Sequence, residues 1–264
     1  MPARRANPAP PTNLLLCEQC GYSIQAPDQP THQPNCPECG KPTAESLPDR
    51  RTGTPLTPHA TWSASAWALL RTPNAVYARV AIDTKASGKF FWRTMLMTLL
   101  VFACAIGLII LPLYGSELVP RGADRSSNLS RLIFACLTWF ILFCNGAGLG
   151  FLLLLALTAI ERLGLRTISR AHGYRITPTI AKVITDYASI GWFIGSALLI
   201  VSLLTWFAPP LMREMGRRPP LLLSPDVVLW YPVAAAFTGL LVFEALAYIG
   251  LQRCKFANTP RIAQ

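Results

Sequence analysis

The chain has 264 residues, 52% of them hydrophobic and only 14% charged, with a formal charge of +11 at neutral pH. Soluble domains run at about 25% charged residues, so an ordinary water-soluble globule is excluded. Nucleic-acid binding is disfavoured too, because the basic residues are spread over the segments flanking apolar runs, where phospholipid headgroups meet them, and form no compact basic and aromatic stripe.

Twelve of the 23 prolines fall in the first sixty residues, which sets a small soluble head apart from a membrane body. Residues 1–14 read as a disordered N-terminus. Arg4 and Arg5 are followed by only Leu14–Leu16 as an apolar core, far short of an export signal, so the N-terminus is expected to stay in the cytoplasm. Then come Cys17-Glu-Gln-Cys20-Gly21-Tyr22 and Cys36-Pro37-Glu38-Cys39-Gly40, with fifteen residues between the two pairs. A two-residue gap lets both thiolates of a tight turn converge on one ion, and two such turns complete a tetrahedron. Gly21 and Gly40 suit the left-handed backbone these turns often need.

Residues 15–41 resemble the zinc-ribbon class, the Cys-Pro-Glu-Cys-Gly half most clearly. The resemblance implies a structural Zn2+ held by Cys17, Cys20, Cys36 and Cys39 on two or three short strands. Four protein ligands leave no open position for a hydrolytic water, and metal binding would supply the folding energy that so short a segment lacks. Rubredoxin-type iron, a pair of disulfides, and His32 in place of one thiol are the competing readings; His32 reads more simply as a solvated loop residue.

Residues 42–61, with four prolines and no periodicity, read as a disordered linker. Residues 62–93 read as interfacial helices. Thr72-Pro73 is a helix start, and Val76, Tyr77, Val80 and Ala81 share a face while Arg79 and Lys85 meet water. Trp62 and Trp67 add the aromatic anchors of a helix lying along headgroups; packing of the same face on the membrane bundle is the other reading.

Four transmembrane helices are expected, at about 94–114, 132–160, 190–207 and 227–250. The second, Leu132–Ile160, has twenty-nine residues without a charge and would reach ~43 Å as a helix, against a hydrocarbon core of ~30 Å. A hairpin at Asn145–Gly148 would leave arms of ~21 Å, too short to cross. One span there, with both termini cytoplasmic, places twelve Lys and Arg on the inner flanks and six on the outer, as the positive-inside rule requires. A shallow re-entrant bend is the alternative. Gly146-x-x-x-Gly150 and Gly191-x-x-x-Gly195 permit close helix approach, within the bundle or in a homo-oligomer. Glu161–Tyr187 carries five basic residues and an apolar set, Ile176, Ile180, Val183, Ile184 and Tyr187, and reads as an amphipathic cytoplasmic segment opened by Thr177-Pro178. Residues 251–264 form a cytoplasmic tail.

Trp67-Ala-Leu-Leu-Arg-Thr-Pro73, and the block His172–Ala197 with its Thr-Ile-Ala-Lys-Val-Ile-Thr-Asp-Tyr-Ala-Ser helix, resemble the Yip (Ypt-interacting protein) superfamily. The similarity covers about Trp62–Gly250 and implies an all-α helical membrane protein without catalysis.

The residues agree with that implication. No Ser/His/Asp set, phosphate loop, paired carboxylates or HExxH occurs. Glu244 is the one ionisable residue inside an expected span and lies near its cytoplasmic end; Asn145 can bond a neighbouring helix; Asp186 and Tyr187 stand at the mouth of the third span without forming a relay. Cys104, Cys136 and Cys144 read as small apolar residues, with Cys254 near the inner interface. The expected function is therefore non-enzymatic: a scaffold or adaptor in the cell (inner) membrane whose cytoplasmic zinc ribbon contacts a partner protein. The alternatives are a transporter or channel-like component with Glu244 and Asn145 on a polar path, and a membrane redox protein.

Overall fold

The computed structural model describes residues 15–24, 34–47, 50–51, 61–118, 125–214 and 230–258. The expected disordered N-terminus, His32, residues 52–60 of the expected linker and the last six residues lie outside this set. The described part is mostly helical: α1 (Trp62–Arg71), α2 (Pro73–Arg79), α3 (Thr84–Leu118), α4 (Arg125–Ala171), α5 (Pro178–Ala188), α6 (Ile190–Glu214) and α7 (Tyr231–Cys254). Among the described residues, four stretches are long and apolar enough to cross a membrane: Thr84–Ala105, Gly148–Ala171, Pro178–Thr205 and Tyr231–Cys254.

Helix α4 runs for 47 residues, about 70 Å at the helical rise, and stays helical through Asn145–Gly148. The Asn145 side-chain amide donates to the Ile141 carbonyl one turn back, at 2.8 Å, and so bonds its own helix. Helix α6 continues past Pro209-Pro210, where the third span was expected to end. Two prolines remove two backbone donors, a loss that helices in apolar surroundings accommodate by local adjustment.

The chain divides into two compact units. The first comprises residues 1–92, 158–188 and 244–264, and the second residues 93–157 and 189–243. At the centre of the first is α5, where Ile180, Val183, Ile184 and Tyr187 are buried with four further residues of the helix. Within the segment expected to be amphipathic, Glu161–Tyr187, helix α5 is thus mostly buried, with Lys182 half-buried. Tyr77 donates from its hydroxyl to the Ile184 carbonyl at 3.3 Å, and burial pushes its phenol well above the usual range, which keeps it a donor. Val76, Tyr77 and Val80 do share a face, and that face is buried in protein rather than in headgroups. Phe90 bridges Tyr187, at 5.1 Å between ring centroids, and Trp62, at 6.4 Å. Trp67 stays 65% exposed, as an interfacial anchor would.

The helix starts differ in detail from expectation. Thr177 caps α5, its hydroxyl accepting from the Ile180 amide. Thr72 instead donates back to the Ala68 carbonyl, leaving Pro73 alone to open α2.

In the second unit α6 and α7 cross at glycine. A Cβ placed on Gly191 would lie 2.5 Å from the Phe243 amide nitrogen, and one on Gly239 would lie 2.7 Å from the Gly195 Cα. Trp192 and Phe243 stack beside the crossing at 4.5 Å. The Gly191/Gly195 pattern thus serves internal packing, whereas Gly150 has open space where a Cβ would be. Gly191→Ala is expected to force the two backbones apart and cost about 1–3 kcal/mol. Gly150→Ala should fall within about 0.5 kcal/mol. Thermal midpoints of the two purified variants in one detergent test the contrast.

Candidate metal centre

The two cysteine knuckles are copies of one another, nineteen residues apart in register. In the first, the Cys17 amide donates to the Tyr22 carbonyl, Gly21 to Cys17, and Ile24 to Leu15; in the second, Cys36 donates to Lys41, Gly40 to Cys36, and Thr43 to Pro34. Each turn closes on a glycine at positive φ, +81° at Gly21 and +71° at Gly40, where other residues would be strained. Among the described residues the module contains no strand; two isolated bridges, Leu16 with Ser23 and Asn35 with Pro42, stand where short strands were expected. Pro42 lacks the N–H that would extend its ladder.

This doubled turn brings all four sulfurs together. The Sγ atoms of Cys17, Cys20, Cys36 and Cys39 lie within 4.8 Å of one another, with Cys17–Cys39 and Cys20–Cys36 each at 3.6 Å. A disulfide needs about 2.05 Å, and all eight cysteines are free. A tetrahedron with metal–sulfur bonds of about 2.3 Å has edges of about 3.8 Å, which these spacings fit. Burial pushes the Cys17 thiol up, but the backbone amides of Cys20 and Gln19 and the neighbouring thiols outweigh it and bring it to about 7, while burial drives Cys20 to about 12. A metal ion binds these groups as thiolates, so filling the site displaces protons from them.

The head is not a free attachment. Glu18, inside the first knuckle, accepts a two-pronged ion pair from Arg51 at 2.7 and 2.8 Å. The Arg51 side chain is 3% exposed and also donates to the carbonyls of Tyr77 and Arg253, both at 3.2 Å. Burial alone would push the guanidinium down, but Cys254 and Glu18 hold it up and keep it charged. Beyond α7, the Asn258 amide donates to the carbonyls of Leu16 and Ser46, at 2.8 and 2.7 Å, and accepts from the Leu16 amide at 3.0 Å. Phe256 lies against Gly21, where a Cβ would come within 2.7 Å of its ring. Part of the segment read as a linker thus carries order, since Thr43–Ser46 forms a 3-10 turn with Ser46 buried. Glu18, Arg51 and Asn258 were not singled out from the sequence, where they look like three ordinary polar residues far apart. Arg51→Met, which strands Glu18, is expected to cost about 3–5 kcal/mol. Arg51→Lys should recover only part of this, because an ammonium cannot copy the fork; unfolding midpoints of the two variants decide it.

A second polar cluster surrounds Asp186, which is fully buried. Its carboxylate takes Arg162 at 2.6 Å and Lys182 at 2.5 Å, and accepts from the Ser87 hydroxyl at 2.8 Å. Arg162 also donates to the Thr185 hydroxyl at 2.8 Å and lies over the Phe91 ring, 5.7 Å from its centroid. Arg162, Lys182 and Ser87 all belong to the same unit as the carboxylate, and together they lock it in place. Glu244 is exposed and within electrostatic reach of Glu161, while Asn145 is bound to its own helix. Cys104, Cys136 and Cys144 are exposed on apolar helices, and Cys254 is buried beside Arg51.

A scan of protein-family models matches nothing in this chain, and searches of curated proteins and of solved structures return no match either. The four apolar helices mark a membrane protein, and the four-cysteine cluster is an arrangement able to hold a metal ion.

Proposed function

We propose that this chain is a non-enzymatic integral protein of the cell (inner) membrane, a scaffold or adaptor whose cytoplasmic zinc ribbon contacts a partner protein. A structural Zn2+ on Cys17, Cys20, Cys36 and Cys39 organises the ribbon, and a Yip-like order of helices carries it. The observation behind this reading is a four-thiol module anchored on one side and open on the other. Arg51 and Asn258 hold its inner face, while Cys20, Tyr22, Glu38 and Lys41 remain exposed. Beside it lies a polar cleft of about 390 Å³ bordered by Lys41, Glu45, Asn74, Arg253 and Lys255, the kind of charged, wet edge that transient protein contacts use. The thiol set supports a closed structural site and not hydrolysis.

Metal analysis of the purified full chain is expected to give one colourless zinc per chain; a red iron chromophore would move the assignment to a redox protein. The charge bias supports cytoplasmic termini, so protease added to inside-out vesicles should remove the head and to right-side-out vesicles should not. For the partner, the informative comparison is between the native chain and a Tyr22→Ser/Lys41→Glu variant that keeps its metal. Loss of the same co-purifying protein from the variant supports an adaptor, and identical capture by both sinks the surface. The transporter reading rests on Glu244 and Asn145, and Asn145 has spent its amide on its own helix; substrate flux unaffected by Glu244→Ala would close it.

A further inference from the structure

The second unit encloses a cavity of about 410 Å³. Its walls come from all four long helices: Met95–Phe102 of α3, Gly150–Leu157 of α4, Trp192–Leu199 of α6 and Pro232–Leu240 of α7. Each wall belongs to a stretch apolar enough to lie in a bilayer. No charged side chain lines it, and its two hydroxyls are committed elsewhere. Thr98 donates to the Thr94 carbonyl at 2.9 Å and Ser196 to the Phe193 carbonyl at 2.8 Å. A buried water needs two to four polar partners, and none converge here, so the space is dry and suited to an apolar guest.

The cavity also has a mouth. Leu153 and Phe237 line it and are nevertheless 59% and 62% exposed, which places the opening on the surface that faces lipid tails. Gly150 lines it too, with nothing within 4 Å of where a Cβ would sit. We propose that this cavity is a binding site for one acyl chain of a membrane phospholipid, entering tail first past Leu153 and Phe237. The headgroup stays outside, because the walls offer it neither charge nor free hydrogen-bond donors.

Trp192 lines the cavity and is only 7% exposed, which makes it a reporter. In the full chain with the other six tryptophans changed to Phe, reconstituted into phosphatidylcholine brominated at mid-chain, Trp192 should lose more than half its emission relative to unbrominated lipid. Adding Gly150→Phe, which fills the space, should restore most of it. A chain keeping only Trp230, which is 66% exposed, should be quenched with or without the filling residue. Undiminished Trp192 emission, or quenching equal with Phe at position 150, overturns the proposal. Quenching by a trace of brominated free fatty acid but not by brominated phospholipid overturns it as well, reassigning the site. The unaltered chain gives a second test that no variant's folding can confuse. A phospholipid with a photoactivatable tail should leave adducts on Leu154 and Leu199, which line the cavity; adducts confined to the outward Leu152 and Leu241 count against it.

Discussion

Replacing Cys36 with serine, or stripping the ion with a chelator, is expected to unfold residues 15–47 and to open the C-terminal end of α7 with them. Beyond its thiols, Leu16 is the main fully enclosed apolar side chain among the described residues of the module. With the four thiols holding zinc as proposed, binding would supply about 10–16 kcal/mol of apparent energy to a module of this size. Loss of the knuckles takes Glu18 from Arg51, and Leu16 and Ser46 from Asn258. Cys254 is fully buried and within 3.7 Å of Arg51, so it becomes the reporter. Its alkylation, followed by mass spectrometry, should accelerate on the order of a hundredfold or more once a clasp of about 3–5 kcal/mol is gone. A Cys254 rate indifferent to the metal would show that the head folds without steadying the helices.

Asp186→Ala should be among the most damaging single changes in the first unit. The carboxylate has no exposure and neutralises both Arg162 and Lys182. Removing it leaves two cations facing each other with no counter-charge, at a cost of about 3–5 kcal/mol. Lys182→Met should be far milder, about 0–1 kcal/mol. The lysine is partly solvated, with 36% of its side chain exposed, and Arg162 and Ser87 still hold the acid. Thermal midpoints in detergent order the three proteins; equal losses for Asp186→Ala and Lys182→Met would refute the lock.

The largest features could be read from the chain because each is written in neighbouring residues. A two-residue gap between thiols and a glycine after each pair dictate a knuckle wherever the turn forms, and long uncharged runs are read the same way. Asn145 illustrates the limit: it was a candidate partner for another helix, but its amide finds a carbonyl one turn back. Long-range polar contacts were not readable at all. Asn258 and Leu16 are 242 positions apart, and no local pattern sets their register. Asp186 looked like a residue at a helix mouth because its partners, Arg162 and Ser87, come from separate helices. At α5 the periodicity identifies the apolar face but not that protein also covers much of the rest of the helix.

The clasp between Leu16 and Asn258 also fixes an order of events during synthesis. At about 5–20 residues per second, the intervening 242 residues take roughly 10–50 s to translate. For that interval the knuckles exist without their anchor, and the thiols are open while the four long apolar helices that follow have yet to enter the bilayer. Metal delivery therefore has a window before docking, and a newborn chain that misses it reaches Asn258 with no folded surface for that residue to grip. With zinc as the proposed ion, its supply during translation, rather than afterwards, would then set the yield of correctly closed protein.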